Sequence, residues 1–360
     1  MNLTISLRPE NFVDSAGIFP MVHRGQLTEI VNRFTQRAEE LNQNDILQLL
    51  VQQDELGRTP IDIASYFNFK NIALYLSIKS GTPVEYMQQE LNVDKEGRSC
   101  YHTLCYRGNY DTLMTLLNYE RVCLKKVIAD ELTSLKKRYG FKNLDIKHGH
   151  LVSTCYHDAD TVRRHSDFNM RANALFERYA NSIIERYRQI LIQQDQNGRG
   201  PLHYAAMSKF TKCYRCVQGL LEIDVSGEPD YEHFLRNYFE IGALDSSDGT
   251  TPFDPRKSSL LIKDVEHLLE PREYNNIIKD FKIRIRALTK EALNLQDSNQ
   301  FTPLHIASYY GDFKSSRYMV DMGADPVHAN YRERPLEVSR DKFSRSVLQN
   351  LNDAAHESNH

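Results

Sequence analysis

DSNQFTPLHIASYYGD at 297–312 is a phrase the chain repeats and varies: DQNGRGPLHYAAM stands at 195–207 and DELGRTPIDIASYF at 54–67. Weaker copies are DKEGRSCYHTLCYRGNYD at 94–111 and SDGTTPFD at 247–254. A short recurring unit of this kind marks a solenoid, in which no copy buries its apolar face alone and each stacks on its neighbours. Within the phrase an Asp opens a turn, and Gly57, Gly97, Gly198 and Gly249 supply positive φ there. Thr-Pro then starts a helix in three copies, at a position whose N–H has no intrahelical partner to lose. Gln300 replaces the Gly in the copy at 297, and Cys100 replaces the Pro in the copy at 94. Small residues Ala64, Ala205, Ala206 and Ala307 permit close helix contact, and a second apolar helix follows at 72–76, 113–117, 214–221 and 316–320. Gly323 and Pro326 close the last of these as helix C-cap and stop.

These residues resemble the ankyrin repeat. The resemblance implies an all-α solenoid of helix-turn-helix repeats, here with helical insertions, and a role in macromolecular recognition rather than catalysis. His102, His203 and His305 match the family's structural T-P-L-H histidine, whose ring fixes turns between neighbouring repeats. Taking the first-helix Pro or its replacement as register mark gives Pro60, Cys100, Pro201, Pro252, Pro303 and Pro335, hence intervals of 40, 101, 51, 51 and 32. A regular repeat is about 33 residues, so the longer intervals contain insertions. Repeats are expected near 19–50, 54–90, 94–118, 195–221, 246–270, 297–326 and 330–352. The stretch 19–34 reads as a first helical pair without its turn signature, and 334–351 as a closing one.

Composition agrees with a cytoplasmic, mostly helical protein: 360 residues, net charge −3 and 41% hydrophobic residues. Neither global disorder nor a globally nucleic-acid-seeking chain follows from those values. The N-terminus shows no basic segment followed by an apolar run, and no stretch approaches the roughly 20 apolar residues that span a bilayer, so secretion and membrane insertion are not expected. The six Cys are scattered, which favours reduced thiols. Cys213 and Cys216 fall in an apolar repeat helix and read as core thiols ahead of a redox pair.

Three insertions carry the individuality of the chain. The first, 119–193, should hold a helix at 120–139, with Leu124, Ile128, Leu132 and Leu135 as its stripe, and a longer one at 166–195 capped by Ser166. Residues 121–192 contain fourteen Lys and Arg against eight Asp and Glu, a balance of +6 that leaves −9 elsewhere. Arg164, Arg171 and Arg178 recur every seven residues, so they are either an electropositive stripe for an acidic partner or a solvated face paired with Glu177 and Glu185. The second insertion, 222–245, is acidic: it either clamps against the basic helix or is a polar loop. The third, 256–293, reads as two helices broken at Pro271, whose KDFKIRIRALTK segment suits either a membrane surface or packing on a repeat.

Two sets of candidate site residues follow. Arg58, Arg98 and Arg199 come immediately after a turn Gly and should project together from successive tips; with Arg164, Arg171 and Arg178 they are the candidate protein contacts. His148, His150, Cys155 and His157 offer four zinc donors within ten residues, although their spacing matches no common structural zinc motif. No P-loop, dinucleotide fingerprint, nucleophile elbow or H-E-x-x-H helix is present. The sequence therefore reads as a non-catalytic protein-binding scaffold or adaptor that needs no cofactor. Its expected partner is a protein with an acidic surface, in a cytoskeletal or ciliary assembly; nucleic acid is the least favoured partner. The alternatives are a regulatory ankyrin segment of a larger enzyme or ion channel, and a metal-binding protein centred on 148–160.

Overall fold

The Asp-led phrases at 54, 94, 195 and 297 each fold into the same turn followed by two helices. The computed structural model describes residues 18–36, 43–81, 90–139, 159–208, 213–221, 240–241 and 271–327, with positions 335, 339, 345 and 349. Before the first turn come α1 (Phe19–His23), α2 (Leu27–Gln36) and α3 (Gln43–Val51). The turn at Asp54 leads into α4 (Pro60–Tyr66) and α5 (Lys70–Lys79), and the turn at Asp94 into α6 (Cys100–Arg107) and α7 (Tyr110–Arg138). Next is the long α8 (Ala159–Ile192), then the turn at Asp195 with α9 (Pro201–Met207) and α10 (Cys213–Leu221). Finally α11 (Pro271–Leu293) runs into the turn at Asp297, which starts α12 (Pro303–Tyr310) and α13 (Phe313–Asp321). Among the described residues the secondary structure is wholly helical.

The turn is built the same way four times. One carboxylate oxygen of the Asp accepts two backbone N–H groups: Leu56 and Arg58 at Asp54, Glu96 and Arg98 at Asp94, Asn197 and Arg199 at Asp195, Asn299 and Phe301 at Asp297, all at 2.8–2.9 Å. Successive turns are then stitched by single backbone hydrogen bonds, Lys95 N to Leu56 O at 3.0 Å, Gln196 N to Glu96 O at 2.9 Å and Ser298 N to Asn197 O at 2.8 Å. Glycine serves two needs here. At Gly57 φ is +77°, and an added Cβ would also lie 2.8 Å from the Lys95 amide of the next turn. Gln300 tolerates the position at φ +62°, and no further turn among the described residues is stacked on it.

Those stitches place the turn of 94 directly against the turn of 195, and the turn of 195 directly against that of 297. The stacked turns are thus 101 and 102 residues apart in sequence. Pro252 divides the second interval in sequence and predicts a repeat near 246–270. The turns of 195 and 297 meet directly through their backbones, and residues 246–270 lie outside the described ones. The insertion falls at the same point of both units: after the second repeat helix the chain leaves, then returns as a long helix that ends three or four residues before the next Asp. α8 and α11 occupy this slot, and α3 occupies it before Asp54.

Helix boundaries differ from the expectation in two places. The helix foreseen at 120–139 is the uninterrupted continuation of the repeat helix, making α7 29 residues long. α8 begins at Ala159, so Ser166 is interior rather than an N-cap, and its 34 residues span about 50 Å. α7 and α8 form an antiparallel hairpin: Glu120, Glu131 and Tyr139 face Arg186, Arg178 and Phe168 in reverse order. A single core runs from Ile18 to Ala324 and takes in Ile184, Tyr187, Ile190 and Leu191 of α8 and Leu288, Ala292 and Leu293 of α11. The long helices are therefore integral to the fold at their C-terminal ends.

Candidate functional site

The line of turns is the first candidate surface, and the structure corrects its residues. Arg58, Arg98 and Arg199 are only 7%, 3% and 9% exposed and do not project from the tips. Four residues after each turn Asp the chain has curled back, so Arg58 meets Asp54 and Arg98 meets Asp94, each at 2.7 Å. Arg199 instead reaches across to Asp297 of the next turn at 3.5 Å, and the hydroxyl of Tyr204 donates to Asp195 at 2.7 Å. These guanidinium groups hold the turns together from beneath.

The histidines behind the turns extend the same network. Nδ1 of His102 accepts the Ser99 N–H at 3.0 Å, and Nδ1 of His203 accepts that of Gly200 at 3.1 Å. That fixes the proton on Nε2, which donates to Arg199 O at 3.1 Å and Phe301 O at 3.0 Å in the following repeat. Burial lowers both imidazoles to about 4, so they stay neutral bridges. In the first repeat Asp62 stands where the histidine would be. Its carboxyl caps the helix by accepting from Thr59 N at 2.8 Å and Thr59 Oγ at 2.7 Å, and burial raises it to about 7.

Asp62 borders a cavity of about 80 Å³ whose lining also includes Leu50, Leu76, Cys100, Tyr101 and Arg186. Its chemistry is quiet. Burial pushes the Cys100 thiol well up, which keeps it protonated. Arg186 of α8 is held by Glu120 of α7 through Nε at 3.0 Å and Nη2 at 2.8 Å, with the Tyr101 hydroxyl donating to the same carboxylate at 3.2 Å. This paired, nearly fully buried clamp joins the long helix to the repeat stack.

The second candidate surface is the basic face of α8. Arg171 and Arg178 are exposed, but neither pairs with Glu177 or Glu185: Arg171 meets Asp167 at 3.3 Å, and Arg178 meets Glu131 of α7. Arg164 lies on the same helix, with its side chain outside the described residues. His148, His150, Cys155 and His157 also lie outside them, as do 222–239 of the acidic insertion. Cys216 is a fully buried thiol of α10. Among the described residues no helix is long and apolar enough to cross a membrane.

Residues 299–331 match the family description of the ankyrin repeat. One similar solved structure is the crystal structure of the ankyrin repeat domain of Bcl-3, a unique member of the IκB protein family. It is 16% identical, with 92% of this chain and 97% of that chain covered and a TM-score of 0.31. No curated protein matches the chain. The described residues form an all-α stack of turn-and-helix units, residues 299–331 of which match the ankyrin repeat, a protein-interaction module.

Proposed function

We propose that this ankyrin-repeat protein is a non-catalytic scaffold or adaptor whose layer of long helices binds a protein of acidic surface. The observation that carries the reading is the placement of the insertions. Both leave the stack of turns unbroken and return as α8 and α11, which lie side by side in parallel. Arg188 meets Glu291 at 2.9 Å and Arg284 donates to Asn181 at 2.7 Å along their shared edge. A surface held by a core, a buried clamp and paired edges has a fixed shape before any partner arrives, which lowers the ordering cost of binding. Positive charge concentrates on this layer, and that favours an acidic partner. An acidic filament lattice of cytoskeletal or ciliary type suits such a scaffold.

The test is capture from native lysate followed by quantitative mass spectrometry, with the intact protein and with charge-reversal variants of α8 (Arg171, Arg178) and of α11 (Lys282, Arg286). Deleting 121–192 would remove Tyr187, Ile190 and Leu191 from the core, so charge reversal is the cleaner perturbation. The expected result is a defined protein partner released by raised salt. Recovery of nucleic acid or lipid with no stoichiometric protein contradicts the reading.

A further inference from the structure

The arginines of α8 are largely engaged within the protein itself. Arg171, Arg178, Arg186 and Arg188 each meet a carboxylate, from Asp167, Glu131, Glu120 and Glu291 respectively. α11 is arranged differently. At 3.6 residues per turn, Lys279, Lys282, Ile283, Arg286 and Lys290 fall within about 100° of its circumference and along about 16 Å of its axis. All five are exposed, and Ile283, at 57%, is one of the few large apolar side chains left in solvent among the described residues. The acids of the same stretch, Asp280 and Glu291, lie on a different arc, where they meet Arg284 at 3.8 Å and Arg188 at 2.9 Å. Among the described residues none of Lys279, Lys282, Arg286 and Lys290 has a carboxylate partner.

Resting on the protein-binding reading above, we infer that this face of α11 is the docking site, and that its occupant is an acidic peptide segment of the partner carrying one apolar side chain for Ile283. Charge complementarity selects the occupant: four cations with no acid between them attract a run of carboxylates, while one central apolar residue supplies a contact that excludes water. A bilayer fits less well. An interfacial helix buries a broad apolar face, whereas Ile285, Leu288, Ala292 and Leu293 are turned to the protein core or packed against it.

The experiment uses the full chain and a fluorescent synthetic peptide of Glu and Asp with one central Leu, at about 0.15 M salt. The variants are Lys282→Glu/Arg286→Glu on α11 and Arg171→Glu/Arg178→Glu on α8, each checked for unchanged circular dichroism. An Ile283→Ser variant tests the apolar anchor without changing charge. The expected result is that the α11 reversal weakens peptide binding at least about tenfold, equivalent to about 1.4 kcal/mol, while the α8 reversal changes it less than about twofold. Equal losses would mean a diffuse field and overturn the site. Binding to phosphatidylserine vesicles with no binding to the peptide would overturn the occupant. The lysate capture separates this inference from the reading beneath it: a protein partner retained by the α11 variant defeats the site alone, and the absence of any protein partner defeats both.

Discussion

Replacing Arg186 by Met should be the most damaging single change to the inserted layer. The side chains of Arg186 and Glu120 are 6% and 2% exposed, joined by hydrogen bonds of 2.8 and 3.0 Å, and the Tyr101 hydroxyl also serves the carboxylate. Arg186→Met preserves most of the stem's packing but leaves Glu120 charged, buried and without its cation. Breaking one side of a buried pair costs about 3–5 kcal/mol, whereas replacing both partners by apolar groups of similar shape is often neutral. The double variant Arg186→Met/Glu120→Met should therefore recover most of the loss, so that the coupling in the mutant cycle is about 3 kcal/mol or more. Urea unfolding followed by circular dichroism reads the stability. Limited proteolysis between α7 and α8 reports whether the hairpin detaches first. A loss under about 1 kcal/mol for the single variant, the range of an exposed pair, would refute the clamp.

Three further outcomes follow from the turns and their bridges. His203→Ala deprives the Gly200 N–H and the Phe301 carbonyl of their shared partner and should cost about 2–4 kcal/mol in denaturant unfolding; a neutral result would deny the bridge. Gly198→Ala places a Cβ 3.0 Å from the Ser298 amide at φ +73° and should cost about 1–2 kcal/mol or more, whereas Gln300→Gly, at φ +62°, should gain up to about 1 kcal/mol. Burial raises Asp62 from 3.8 to about 7, so its contribution is fully present below its unfolded value and is lost as pH rises through 7. The histidines run oppositely: lowered from 6.5 to about 4, they stabilise above 6.5 and lose that contribution as pH falls towards 4. Melting Asp62→Asn beside the natural protein isolates the first effect, because the variant's advantage should grow across that acid-to-neutral window; a constant difference would contradict it.

Much of the fold was legible because the phrase is made of residues with few alternatives. An Asp that can accept two amides, a Gly at positive φ, a Pro at a helix start and a His two residues later define a turn-and-helix unit without reference to the rest of the chain. The arginines misled because position along a turn does not reveal direction. Arg58 and Arg98 lie four residues after an Asp whose second oxygen remains available, and that spacing was the missed sign of an inward pair. The repeat interval misled for a different reason. SDGTTPFD at 247–254 carries the turn residues, and reading a register mark at Pro252 hid the near-equality of the 101- and 102-residue steps. The basic stripe of α8 was visible as composition, yet its partners Glu131 and Glu291 come from other helices, which periodicity within one helix could not supply.

The contact between the turns of 94 and 195 is central, since it sets α8 beside the stack rather than between two of its turns. Spin labels at Glu96→Cys and Gln196→Cys, both on exposed turn positions, measure it directly in solution. Stacked turns predict strong dipolar broadening in the doubly labelled protein beyond the sum of the two singly labelled ones. A double-label spectrum equal to that sum would separate the turns and contradict the continuous stack.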